Sequence, residues 1–300
     1  MAEPIVTGLS KKMKAGFVNI FGKPNAGKST LLNALVGEKL AIVSHKVQTT
    51  RHRIKGIVSG EGYQVIFSDT PGIIEPKYRL HEKMMLAVKS SLEDADLALL
   101  MLDARENPDE ADSIFQALHL KVPAFLIINK VDAVKSDKVK GLTDFFAAKK
   151  YVQRCFSVSA LKGIGVKELM AAIVDAIPEG APFFPEDDIS DLNTRFFAGE
   201  LVREKIYELY EEEIPYHSTV VVTEFKEKES LIKITAEIIV QRETQKIILI
   251  GKGGSMIKKL GTEARKSMEE FLGRKVFLEL FVKVRPKWRE NETFLREYGY

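Results

Sequence analysis

The chain has 300 residues, a formal net charge of +3, 45% hydrophobic and 29% charged residues, and a single cysteine, Cys155. That composition belongs to globular protein of one large or two ordinary domains, and one cysteine excludes an intramolecular disulfide framework. The longest strictly apolar run, Leu97–Leu102, is far short of the ~18 residues a membrane span needs, no apolar export signal opens the chain, and the five histidines lack zinc-like spacing.

The first predicted elements are a short strand at Phe17–Phe21 and a helix at Leu31–Val36. Between them lies Gly22-Lys-Pro-Asn-Ala-Gly-Lys-Ser-Thr30, which contains G-x-x-x-x-G-K-S. A glycine loop between strand and helix lets backbone N–H groups of Asn25, Ala26, Gly27 and Thr30 close around phosphate oxygens at a helix N-terminus. Lys28 then reaches the β- and γ-phosphates, and Ser29 holds a magnesium ion.

Lys39–Arg53 is polar, rich in hydroxyls and without periodicity, so most of it is expected to be an exposed loop. Two strands, Ile54–Val58 and Tyr63–Ser68, follow as a hairpin. The second ends in Asp69-Thr70-Pro71-Gly72, a D-x-x-G. Its carboxylate can act on magnesium through water, and the Gly72 N–H can meet the γ-phosphate, since no side chain blocks the approach. Alternating helices and buried strands continue: helix Glu82–Leu92, strand Leu97–Asp103, helix Asp109–His119 and strand Pro123–Ile128. The last strand ends in Asn129-Lys130-Val131-Asp132. In this N-K-x-D pattern Asp132 accepts two hydrogen bonds that guanine donates and adenine does not, Lys130 covers the base, and Asn129 pins the loops. Helix Ser136–Lys149, strand Val152–Val158 and helix Val166–Ile177 complete the half. Ser159-Ala160 at the last strand end offers the Ala160 N–H to the guanine oxygen. The order predicts a doubly wound, mostly parallel α/β sheet with the ligand crevice at its strand C-termini.

Ile177–Asp188, with three prolines and a glycine within eight residues, reads as a linker in which Phe183 and Phe184 can pin the chain to a domain surface. The expected boundaries are 1–178 for the nucleotide-binding domain, 179–192 for the linker and 193–300 for an α+β second domain. There, a helix (Arg195–Glu213) and strands at Thr219–Lys226 and Leu231–Val240 precede a short helix, Glu243–Ile250. This helix runs into Gly251-Lys252-Gly253-Gly254, a second helix begins near Ser255, and a strand covers Val276–Val284. Helix, G-x-x-G, helix, strand is the core of a type II KH module, whose loop clamps single-stranded nucleic acid. From Arg242 to Arg289, thirteen basic side chains face five acidic ones, a footprint for a polyanion. Candidate RNA contacts are Ile250, Gly251, Lys252, Gly253, Gly254, Ser255, Lys258, Lys259, Arg285 and Trp288. Trp288 either stacks on a base or packs against its own domain.

The first half resembles the translation-factor-like GTPases over residues 15–178. Gly22–Ser29, Gln48-Thr49-Thr50-Arg51-His52-Arg53 and Ile250–Gly254 together resemble the Era family over essentially the whole chain. The resemblance implies GTP/GDP and Mg²⁺ as ligands, with Thr49 or Thr50, Thr50 favoured, binding magnesium in the GTP state. It implies a potassium ion near the phosphates, with Asn25 as a candidate ligand. It implies binding of the 3′ end of small-subunit ribosomal RNA and action in 30S assembly, in the cytoplasm, as a monomer, with peripheral contact to the inner membrane and no DNA partner. Ile73 stands where Ras-like proteins place a water-orienting glutamine, so intrinsic hydrolysis is expected to be slow and no general base is assigned. A non-catalytic RNA-binding scaffold and a lipid-binding regulator are the competing readings.

Overall fold

The computed structural model describes residues 12–300. The first eleven residues of the expected nucleotide-binding domain lie outside the described residues. The first half alternates β1 (Lys14–Gly22), α1 (Lys28–Val36), β2 (Ile54–Gly60), β3 (Tyr63–Asp69), α2 (Arg79–Glu93), β4 (Leu97–Asp103), α3 (Pro108–Gln116), β5 (Ala124–Asn129), α4 (Ser136–Ala147), β6 (Arg154–Ser157) and α5 (Val166–Ala176). The six strands form one sheet in the order β2-β3-β1-β4-β5-β6. Only the β2/β3 pair is antiparallel.

The apolar runs explain the layers. In β4, Leu97, Leu99 and Met101 pack on one face with Leu31, Leu32 and Ile173, while Ala98, Leu100 and Leu102 pack on the other with Phe115 and Phe146. A strand buried on both faces has no polar side, which is why these runs read as continuous hydrophobics. Parallel strands in sequence bring the ends of β1, β3, β5 and β6 to one edge, where the four predicted motifs meet.

The second half runs α6 (Thr194–Leu209), α7 (Ile214–His217), β7 (Thr219–Glu227), β8 (Ile232–Val240), α8 (Glu243–Ile250), α9 (Ser255–Leu272), β9 (Val276–Val284) and α10 (Glu292–Glu297). The sheet order is β7-β8-β9, antiparallel then parallel. Leu260, Ala264 and Met268, four residues apart on α9, pack over Ile234, Ala236 and Ile238 of β8. This spacing keeps one helix face on the sheet. The Asn193 side chain starts α6 by accepting from the Phe196 N–H at 2.9 Å.

Residues 179–192 are an ordered strap. The Gln64 side chain accepts from the N–H groups of Phe183 (2.7 Å) and Phe184 (3.0 Å) and donates to the Phe184 carbonyl (2.9 Å). The Phe183 ring lies 4.8 Å from that of Phe17. Further along, the Ile57 N–H donates to the Ile189 carbonyl, and the Ser190 hydroxyl to that of Lys55.

Two expectations are corrected. Lys39–Arg53 is not mostly exposed: Leu40, Ala41, Ile42, Lys46, Thr50 and Arg51 are buried. The segment lacks periodicity, yet α6 and the turn before β7 cover it, and surface from a distant part of the chain leaves no local signal. Trp288 is 0% exposed. It packs with Leu80, Met84, Ile239 and Leu295, and its indole N–H donates to the His217 carbonyl at 3.0 Å. A ring closed in this way cannot stack on a base.

Candidate functional site

The phosphate loop leaves β1 at Gly22 and enters α1 at Lys28. Asn25 (φ +62°) and Gly27 (φ +101°) take left-handed conformations. A Cβ on Gly27 would fall 2.2 Å from the Asn129 amide nitrogen, so only glycine fits. Lys28 is buried, and its ammonium donates to the carbonyls of Gly22 (3.1 Å) and Lys23 (2.8 Å). Burial lowers its pKa to about 8, against the opposing pull of Asp69 and Glu106.

Ser29, Thr50 and Asp69 converge beside it. The Ser29 hydroxyl donates to Asp69 Oδ2 at 2.6 Å, the Thr50 hydroxyl donates to the same oxygen at 3.0 Å, and the two hydroxyls are 2.9 Å apart. Asp69 Oδ1 is buried without a partner. Burial raises the carboxyl's pKa, opposed by Lys28 and both hydroxyls. Two hydroxyls, a shared carboxylate oxygen and an orphaned one form a hard, all-oxygen donor set that fits Mg²⁺. Of the two candidate threonines, Thr50 is in this cluster, whereas Thr49 presents its carbonyl to Arg203.

Gly72 lies against the loop so closely that a Cβ there would be 2.6 Å from the Pro24 nitrogen. Ile73 packs against the core around Phe21 and Leu100. Asn25 donates its amide to the His45 carbonyl at 2.6 Å, tying the phosphate loop to the segment that carries Thr50.

On the base side, Asn129 donates to the Ala26 carbonyl (2.8 Å) and accepts from the Ala160 N–H (3.0 Å). The Ala160 N–H, expected to face the guanine oxygen, is thus satisfied by Asn129. Lys130, left-handed at φ +64°, reaches the Asn25 carbonyl (2.6 Å) and Asp103 (2.8 Å). Hydrogen bonding from Ser159, then Lys162, holds Asp132 below the usual carboxylate range. An open cleft of about 210 Å³ is lined by the phosphate loop, the segment carrying Thr50, Gly72 and, from the base side, Lys130. It also includes Arg105, which no motif marks and which is held by Asp103 through two hydrogen bonds of 2.9 and 2.6 Å.

At the far end of the chain, Gly251, Gly253 and Gly254 have φ of +71°, +59° and +78°. A Cβ on Gly251 would meet Met256 at 2.7 Å, while Gly253 and Gly254 face open space. Lys252 in the loop and Ser255, Lys258 and Lys259 at the start of α9 are exposed, and Ile250 at the end of α8 is half-buried. Beside them a groove of about 340 Å³ has an apolar floor of Ile257, Leu278 and Leu280 and a basic wall of Lys258 and Arg265. Sequence reading missed this floor, because Leu278 and Leu280 share the strand periodicity of core residues. Arg285 is exposed past the end of β9.

The segment carrying Thr50 also docks on the second half of the chain, at α6 and the turn before β7. Arg51, 3% exposed, donates to the carbonyls of Ser218 (2.7 Å) and Pro215 (2.9 Å). The Lys46 ammonium donates to the carbonyls of Tyr207 (2.7 Å) and Tyr210 (2.6 Å). Lys39 pairs with Glu204 at 2.7 Å.

Fold and site together define a phosphate-loop GTPase joined to a type II KH domain. The family model described as 50S ribosome-binding GTPase matches residues 17–130, and the KH domain model matches residues 213–289. GTPase Era of Geotalea uraniireducens is 43% identical over 97% of this chain and 99% of its own, and that of Geobacter sp. strain M21 is 44% identical over the same shares. A crystal structure of Era with MgGDPNP and nucleotides 1506–1542 of 16S ribosomal RNA is 43% identical, with a TM-score of 0.92 over 96% of this chain and 99% of that one. A variant of Aquifex aeolicus Era bound to GDP·AlF4⁻ matches equally. The chain belongs to the GTPase Era family, and it is an enzyme that hydrolyses GTP to GDP and phosphate.

Proposed function

We propose that this chain is a GTP-controlled switch that binds single-stranded RNA, and that its RNA is the 3′ segment of small-subunit ribosomal RNA during 30S assembly. One observation carries the reading: the segment holding Thr50 against the phosphate loop is docked on α6 of the KH half. The bound RNA of the 43%-identical Era structure supports the choice of target.

In this reading Lys28 and the N–H groups from Asn25 to Thr30 hold the phosphates, and Gly72 meets the γ-phosphate. Ser29 and Thr50 bind Mg²⁺, with Asp69 acting through water, and Asp132 reads guanine. We assign Asn25, whose amide nitrogen is tied to the His45 carbonyl, as the ligand of a potassium ion that would help neutralise the phosphates. Bound magnesium supplies charge neutralisation between the phosphates. Ile73, packed against the core, stands after Gly72 where Ras-like proteins place a water-orienting glutamine, so hydrolysis is slow and acts as a timer. The exposed ammonium groups of Lys252, Lys258 and Lys259 meet RNA phosphates, while the Ile257–Leu280 floor takes bases. We assign folding units of 1–178 and 193–300, joined by the strap. The protein works as a cytoplasmic monomer. No described helix is long and apolar enough to cross a membrane, so contact with the inner membrane would be electrostatic and peripheral.

The test is fluorescence anisotropy with a single-stranded oligonucleotide of the small-subunit rRNA 3′ end, at fixed salt. RNA affinity should differ at least several-fold between GDPNP and GDP, and RNA should shift nucleotide affinity by the same factor. Equal RNA affinity in both states would remove the switch.

A further inference from the structure

We propose that Tyr207, on α6 of the KH half, is a positioning residue for Thr50 across the domain boundary. Gln48 sits two residues before Thr50 with φ +60°. A non-glycine side chain adopts that left-handed conformation at a cost, so something must hold it. The holding group is the Tyr207 hydroxyl, which donates to the Gln48 carbonyl at 2.8 Å. The next carbonyl, that of Thr49, accepts from the Arg203 guanidinium on the same face of α6. Tyr207 is 0% exposed, so its hydroxyl is held by packing and is directed at the carbonyl of the half-buried Gln48.

The grip extends in both directions along the segment. Tyr207 returns its own carbonyl to the Lys46 ammonium at 2.7 Å, and Arg51 is locked into the Pro215–Ser218 turn. Between these anchors the Thr50 hydroxyl has one place to go, 3.0 Å from Asp69 Oδ2 and 2.9 Å from Ser29. The left-handed turn at Gln48 aims the hydroxyl, and α6 fixes the turn. The KH half thus holds in place a residue of the nucleotide site. This assignment rests on Thr50 being the magnesium ligand of the GTP state.

Tyr207→Phe keeps the ring and removes only the hydroxyl, so the full-length variant should fold. A buried hydrogen bond of this kind is worth roughly a five- to tenfold change in an equilibrium. The Mg²⁺ concentration giving half-maximal GDPNP binding should rise by that factor, while the value for GDP stays the same. Amide hydrogen exchange across residues 46–51 should accelerate similarly in nucleotide-free protein, a readout independent of metal and turnover. Thr50→Ala should raise the Mg²⁺ requirement with GDPNP at least as much. If Thr50→Ala raises it and Tyr207→Phe does not, the role of Tyr207 is overturned while the metal reading stands. If Thr50→Ala leaves it unchanged, the metal reading falls and the assignment with it. Equal losses with GDP and GDPNP, or unaltered exchange at 46–51, would also overturn the assignment.

Discussion

Replacing Arg51 with methionine should uncouple the two halves of the chain. The guanidinium donates to three carbonyls, Ser218 at 2.7 Å, Pro215 at 2.9 Å and Tyr216 at 3.3 Å, and approaches the Tyr207 hydroxyl at 3.4 Å. Methionine fills most of the volume, removes the donor to the Ser218 and Tyr216 carbonyls, and leaves Pro215 with only the long 3.5 Å bond from the Ser218 hydroxyl. Charged hydrogen bonds contribute about 1.5–3 kcal/mol each, and orphaned buried acceptors cost about 1–3 kcal/mol. Against this, the variant no longer desolvates a cation whose Nε already lacks a partner. The balance is a loss of about 2–4 kcal/mol, located at the contact between the halves. The assay is urea unfolding of the full chain, followed by far-ultraviolet circular dichroism and by fluorescence of Trp288, the only tryptophan. With an m-value near 3 kcal/mol/M, the Trp288 transition should move down by about 1 M urea and separate from the remaining signal. Coincident transitions with midpoints within about 0.2 M of the parent would refute the reasoning.

Two further outcomes are expected. Lys28, with a pKa of about 8 from burial, is charged below that pH and neutral above it. Bound phosphate raises that pKa, so nucleotide affinity should hold below pH 8 and fall about tenfold per unit above it. Calorimetry in buffers of different ionisation enthalpy should detect proton uptake on GDP binding at pH 9 and little at pH 7; no uptake at pH 9 would contradict the assignment. Trp288→Ala should cost about 3–5 kcal/mol of stability, as expected for an emptied aromatic site, yet leave the RNA affinity of folded protein within about twofold. A tenfold loss in folded protein would return Trp288 to the RNA groove.

The phosphate loop, the D-x-x-G turn and the N-K-x-D end of β5 were legible in the sequence because each role requires particular residue types at fixed spacing. Gly27 is glycine because Asn129 occupies the space of its Cβ, and that constraint survives as a motif. The strands were legible for a related reason: β4 must be apolar on both faces. What stayed hidden depends on contacts between distant segments. Arg51 and Lys46 read as loop cations, and only their acceptors on Pro215, Ser218, Tyr207 and Tyr210, some 160 residues away, reveal that they are buried. Trp288 sits in a basic stretch that suggests RNA, and its burial depends on Leu80 and Met84 of α2. Arg105 enters the nucleotide cleft from the loop after β4, and no spacing rule marks it.

The KH half contacts both segments that border the γ-phosphate position, and the two contacts differ in kind. Ile74, Tyr78, Leu80 and Met84, which follow the D-x-x-G turn, pack against Ile239, Trp288 and Leu295. Arg289 lies 4.3 Å over the Tyr78 ring, and Lys83 pairs with Glu292 at 2.5 Å. This contact is mainly apolar and non-directional, so it tolerates sliding. The contact of residues 46–51 with α6 is made by cations and a hydroxyl donating to buried carbonyls, and such bonds weaken steeply with misalignment. A displacement of about one ångström by the Thr50 segment would break several of them and leave their acceptors dry. The polar contact is therefore the one that registers whether Thr50 is in place, and the apolar contact is the surface about which the halves can turn. If the proposed switch holds, nucleotide state should act on the first contact, and the Gly251–Gly254 groove should move about the second.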